Sequence, residues 1–129
     1  MNDKELISIA REAQQNAYAV YSQFKVGAAL LAADGQVYTG VNVENSSYGL
    51  TICAERNAVC NAVACGNRNF DKLAIYSSCS PPAMPCGACR QVLFEFAPSL
   101  QIICANDSNE IKRFMLNQLL PDGFKLKDL

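Results

Sequence analysis

The sequence predicts an α/β protein built as a three-layer sandwich, with a mixed five-stranded sheet and helices on both faces. Three observations carry that expectation. Apolar residues recur at helical spacing near the start of the chain. Residues 26 to 32 are apolar on both faces of a strand, which suits the middle of a covered sheet. The remaining stretches then read, in order, as helix, hairpin, helix, strand, helix, strand, strand.

Leu6, Ile9, Ala10, Ala13, Ala17 and Val20 share one helical face, predicting a helix from about residue 3 to 20 that Ser22-Gln23 breaks. The strand Val26 to Ala32 turns at Ala33-Asp34-Gly35, where Asp-Gly is a hairpin signal. In the next strand Val37, Thr39, Val41 and Val43 point one way, and Tyr38, Gly40, Asn42 and Glu44 the other. Asn45 to Ile52 forms a loop, and a second helix runs from about Cys53 to Cys65 with Gly66 as its stop. Leu73 to Ser78 is a strand, Ser80 to Pro85 a stiff loop, and a third helix covers Gly87 to Ala97, ending at Pro98. Leu100 to Ala105 is a strand. The four residues Asn106 to Asn109 are too few for a crossover, so a strand near 111–115 pairs antiparallel to it. A short helix from Leu116 to Leu120 precedes Pro121. Right-handed crossovers would bring the N-termini of the second and third helices to one edge of the sheet, where ligands of open α/β sheets bind.

Composition narrows the function classes. The 129 residues are expected to form one domain over 1–129, and with half of them hydrophobic a packed core needs no staple. Net charge is −1 and the eleven basic residues are scattered, which argues against a nucleic-acid partner. No run of about eighteen apolar residues suggests a membrane span, and Met1-Asn2-Asp3-Lys4-Glu5 lacks the plan of a secretion signal, so the expected location is cytoplasmic. Of seven cysteines, Cys60, Cys65, Cys79 and Cys104 are expected to be reduced and buried as small hydrophobes.

The other three cysteines carry chemistry. Cys53-Ala54-Glu55-Arg56 and Pro85-Cys86-Gly87-Ala88-Cys89-Arg90 each run into a helix. Cys53, Cys86 and Cys89 make a three-thiol set for one Zn²⁺ per chain, and three protein ligands leave a fourth position for water, as catalytic sites do. Glu55 is the carboxylate placed to move that water's protons without being a ligand. Three thiolates overneutralise the ion, and Arg56 and Arg90 could each reach a ligand sulfur by helical spacing; the alternative for each is an ordinary surface arginine. Asn42 and Glu44 project from one strand face about 7 Å apart. They are either a solvated edge or a carboxamide and carboxylate suited to vicinal sugar hydroxyls.

Five stretches resemble the small, homotetrameric, zinc-dependent cytidine deaminases. They are Tyr21-Ser22-Gln23-Phe24-Lys25-Val26-Gly27, Asn42-Val43-Glu44-Asn45, Tyr48-Gly49-Leu50-Thr51-Ile52-Cys53-Ala54-Glu55-Arg56, Pro85 to Gln91, and Leu119-Leu120-Pro121 with Phe124. The resemblance covers nearly the whole chain, and the order of its motifs is more specific than a lone Cys-x-x-Cys. It implies the cytidine deaminase-like form of the sandwich and the hydrolysis of cytidine and 2′-deoxycytidine to the uracil nucleosides and ammonia, in pyrimidine salvage. Asn42 and Glu44 would hold the ribose, and backbone at Ala54 and before Cys86 the base edge. Phe24 would wall the pyrimidine. Ser46, Ser47, Tyr48, Gly49 and Phe124 would close the site of a neighbouring subunit. Two other readings compete: a deaminase of an aminopyrimidine nucleoside antibiotic on the same fold, and a structural zinc module. The latter is expected to have a fourth ligand, and the chain has no histidine.

Overall fold

Asn2 starts the first helix by accepting the Glu5 amide on its side-chain oxygen at 2.9 Å, satisfying a donor that the helix itself cannot. In the structure, a computed structural model that describes residues 1–128, this helix is α1, Asp3–Gln14. It ends well before residue 20. Ala17 and Val20 share its period, but their backbone is used elsewhere: the Tyr18 amide donates to the Asn42 carbonyl and the Glu44 amide to the Tyr18 carbonyl, both at 2.9 Å. A lateral bridge to the strand side thus replaces the last helical turn, and Val20 is left exposed.

The strands are β1 (Gly27–Ala32), β2 (Val37–Val41), β3 (Phe70–Ser77), β4 (Gln101–Asn106) and β5 (Ile111–Met115). Their order across the sheet is β2-β1-β3-β4-β5, with β3 and β4 parallel and the other pairs antiparallel. Alternation along the strands sends side chains to two cores. Ala29, Ala74, Tyr76, Ile103 and Ala105 pack under Leu6 and Ala10 of α1 on one face. Ala28, Leu30, Leu73, Ile75, Ile102 and Cys104 meet the other face, where α2 (Ala54–Ala64) contributes Ala58 and Ala62 and α3 (Gly87–Phe96) contributes Leu93. The predicted three-layer sandwich is therefore present, and α4 (Leu116–Leu119) follows β5 directly.

Close approach sets where α2 lies. A Cβ at Gly40 would stand 2.3 Å from both the Ala54 carbonyl oxygen and the Ala58 nitrogen, so β2 and α2 touch backbone to backbone. At the other end of α2, Gly66 takes φ +86 and the Asn67 amide returns to the Ala62 carbonyl, closing the helix as expected.

Of the four cysteines expected to be buried, only Cys104 is; burial pushes its thiol up to about 12. Cys60 lies on the outward side of α2, Cys65 caps the C-terminus of that helix and Cys79 is in the loop after β3, all exposed. The general tendency of free cysteine to be buried gives way here to helix phase and loop position.

Asp3 ties the start of α1 to the sheet through Lys72 Nζ on β3 and Arg113 Nε on β5, each at 3.0 Å. The Lys72 hydrogen bond, and then that from Arg113, hold its carboxyl below the ordinary 3.8. A depressed folded-state pKa contributes stability that is full above the ordinary value and is lost as pH falls through the folded one. Asp3→Asn should therefore lower stability by about 1 kcal/mol at neutral pH, the upper end for partly exposed pairs. Urea midpoints of parent and variant should converge as the pH drops below the carboxylate range. An equal gap at every pH would show that the ion pairs contribute nothing.

Candidate active site

Two helix starts and one strand end meet at the site. Cys53 is the N-cap of α2, Cys86 is the N-cap of α3, and Cys89 lies in the first turn of α3. Helix N-termini favour thiolates, the form in which a cysteine binds zinc. Tetrahedral zinc with bonds of about 2.3 Å sets ligand sulfurs roughly 3.8 Å apart. All three Sγ atoms here lie within 4.8 Å of one another, with Cys86 and Cys89 at 3.5 Å. The donor set fits the ion, and no fourth Cys, His, Asp or Glu joins the cluster among the described residues.

Arg56 donates from a terminal nitrogen to Cys53 Sγ at 3.6 Å, one helical turn away. A hydrogen bond from Cys89, then the Arg56 guanidinium, hold the Cys53 thiol well below its ordinary value. The same shared proton, together with burial, pushes Cys89 up. Arg90 does not reach a sulfur. Its Nε donates to the Pro85 carbonyl at 2.8 Å and a terminal nitrogen to the Leu119 carbonyl at 3.0 Å, so it clamps backbone and leaves the charge of the thiolates to Arg56.

Glu55 is 5% exposed, beside this cluster. Burial, more than any other influence, raises its carboxyl to about 7, where it can both hold and release a proton near neutrality. It borders a cavity of about 190 Å³ that also touches Phe24, Asn42, Cys53, Ala54 and Cys86. Val26, Thr51, Ile75, Ala83 and Met84 complete the wall, and none of these five is among the site residues expected from the sequence. For Ala83 and Met84 the available signal was their place in the stiff loop just before Cys86. A larger open groove of about 560 Å³, at the starts of β3 and β4, lies away from the thiols and Glu55. The chemistry therefore belongs to the smaller cavity.

Asn42 and Glu44 are both buried, which excludes the solvated-edge reading. Asn42 Oδ1 accepts the Val26 amide at 2.9 Å and its Nδ2 donates to the Phe24 carbonyl at 2.8 Å. Glu44 Oε1 accepts the amides of Tyr21 and Ser22, at 2.9 and 3.0 Å, and Oε2 takes the Ser22 hydroxyl. That hydroxyl, first of all, keeps the Glu44 carboxyl below its ordinary value. Ser22 Oγ in turn accepts the Phe24 amide at 3.0 Å, so the pair folds residues 21–26 and sets Phe24 against the cavity. Ser46, Ser47, Tyr48 and Gly49 are exposed and lie outside this chain's cavity, as does Phe124 at 55% exposure.

Residues 1–105 match the family model described as the cytidine and deoxycytidylate deaminase zinc-binding region. The chain belongs to that family. Curated relatives agree along the full length: a cytidine deaminase of Sporosarcina psychrophila is 45% identical, with 100% of this chain and 96% of the relative aligned. Among solved structures, the cytidine deaminase of Burkholderia pseudomallei superposes with a TM-score of 0.94 at 46% identity, over 96% of this chain and 100% of that one. The cytidine deaminase of Mycobacterium tuberculosis gives 0.84 at 43% identity, over 98% and 99%. The protein is thus a zinc-dependent cytidine deaminase, and the cluster of Cys53, Cys86 and Cys89 is a group that could hold the metal ion. No helix of this deaminase, among the described residues, is long and apolar enough to cross a membrane.

Proposed function

We infer that the chain, as a single domain, hydrolyses cytidine and 2′-deoxycytidine to uridine and 2′-deoxyuridine with release of ammonia, and so serves pyrimidine salvage in the cytoplasm. One observation carries the reading: a buried carboxyl poised near neutrality borders the same cavity as Cys53 and Cys86 of the three-thiol cluster. Cys53, Cys86 and Cys89 would hold the zinc, which would supply the Lewis acidity that lowers the pKa of a water toward ~7. Glu55 takes a proton from the attacking water, whose oxygen bonds to C4 of the ring, and delivers it to N3. It then carries the second proton to the 4-amino group, which leaves as ammonia when the C4–N bond breaks. Phe24 covers one face of the base, and backbone at Ala54 and before Cys86 holds its edge. Asn42 and Glu44 meet the sugar hydroxyls while keeping Phe24 in place. Glu44 would repel a 5′-phosphate, and no glycine loop for phosphate is present, so free nucleosides are the substrates.

The assembly we propose is a homotetramer with shared sites. Tyr48, Leu50, Phe124 and Leu126 are each more than half exposed, an apolar surface that suits burial against other copies. Ser46 to Gly49 and Phe124 would then line a neighbour's pocket. Purified protein given cytidine should yield equimolar uridine and ammonia, and cytidine 5′-phosphate should turn over far more slowly. Phe124→Ala should raise the KM for cytidine, and dilution below the assembly's dissociation point should abolish activity. A fully active monomer in sedimentation would defeat the shared site while leaving the zinc chemistry in place.

A further inference from the structure

The loop between β3 and α3 supplies Ala83 and Met84 to the cavity wall and ends at Cys86. Three of the six residues Ser80 to Pro85 are proline, whose fixed φ makes the segment a strut: holding one end sets the other. Its far end, Pro85, is held by Arg90. Its near end is held from a place with no part in the chemistry, the turn between β4 and β5. Asn106 closes β4 and is 3% exposed. Its Oδ1 accepts the amides of Ser108 and Glu110, both at 3.0 Å, which shapes the turn. Its Nδ2 donates to the Cys79 carbonyl at 3.0 Å and to Glu110 Oε1 at 3.0 Å. Glu110 Oε1 also accepts the Ser80 hydroxyl at 2.6 Å. All four bonding directions of a buried carboxamide are used, two for the turn and two outward. One of the outward pair ends on the loop, and the other on the carboxylate that holds the loop's next residue.

We propose that Asn106 is a positioning residue for the zinc site, fixing through Cys79 and, with Glu110, through Ser80 the strut that places Met84 and Cys86. Asn and Glu divide the task by chemistry. A carboxamide accepts both turn amides on its oxygen while donating to the Cys79 carbonyl from its nitrogen, and an acceptor oxygen at 110 takes both the Asn106 and Ser80 protons.

The proposal rests on the deaminase reading for its kinetic readout but not for its metal readout. Asn106→Asp keeps the acceptor for the turn and loses the donor bonds to both Cys79 and Glu110; Ser80→Ala combined with Glu110→Ala cuts the second tie alone; Glu110→Gln keeps the acceptor oxygen and serves as the conservative variant. Zinc-loaded protein of each is mixed with a chromogenic chelator, and the rate of zinc transfer is followed at a temperature where every sample is folded. Partners that orient ligands typically alter metal affinity by about 10–100-fold. Asn106→Asp and the double variant should release zinc at least about tenfold faster and raise KM for cytidine more than they lower kcat, whereas Glu110→Gln should match the parent. If Asn106→Asp does not fold, the double variant decides alone. Zinc release within twofold of the parent in the folded variants, or a Glu110→Gln protein as fast as the double variant, overturns the proposal. A parent that holds zinc but leaves cytidine unchanged would instead defeat the functional reading, and the release rates would still decide this one.

Discussion

Glu55→Gln should keep its zinc and its fold and lose nearly all turnover. The two side chains have the same shape, and Glu55 is not in the ligand set, so the metal site has no reason to change. What is lost is the proton carrier. A single general acid–base step is worth about 10²–10⁴-fold, and a group that serves attack, N3 protonation and amine departure in turn should reach or exceed the upper figure. Burial of the position leaves little water to substitute for it. Zinc content, circular dichroism and kcat measured on one preparation decide the matter. Turnover within a few-fold of the parent would show that another group carries the protons.

The second large effect is on the metal itself. The parent should hold one zinc per chain, and Cys86→Ala together with Cys89→Ala should hold almost none. Cys53 alone is left, with an Arg56 guanidinium beside it that suits a thiolate but binds no cation. Since ligand-orienting neighbours already matter about 10–100-fold, the loss of two direct ligands should exceed that range. The protein should remain folded, because both cores are apolar and neither contains any of the three thiols. Elemental analysis showing full zinc in this double variant would place the ion elsewhere.

Much of this was legible in the sequence because it depends on short-range periodicity. The apolar run Val26 to Ala32 placed its strand inside the sheet, and the too-short turn after β4 made the last strand antiparallel. The thiol set was legible because its ligands sit at helix starts, where spacing along the chain is nearly spacing in space. What escaped depends on partners distant in sequence. Ala17 and Val20 kept the helical period, yet a bridge between Tyr18 and Val43 claimed that backbone. Arg90 had the right spacing for a sulfur and found two carbonyls instead. The exposure of Cys60 follows from how α2 is rotated on the sheet, and that of Cys65 from its place at the helix end, neither of which residue type encodes. Asn106 looked like any loop asparagine.

The seam between β2 and α2 widens the set of positions on which catalysis depends. With no room for even a methyl group at Gly40, any side chain there must lift the first turn of α2, and Cys53 and Glu55 lift with it, away from Cys86 and Cys89 on the other helix. A residue that touches no reactant is thus held to one amino acid as tightly as the ligands are. A survey of tolerated substitutions would group position 40 with the chemistry, although its only duty is to be absent.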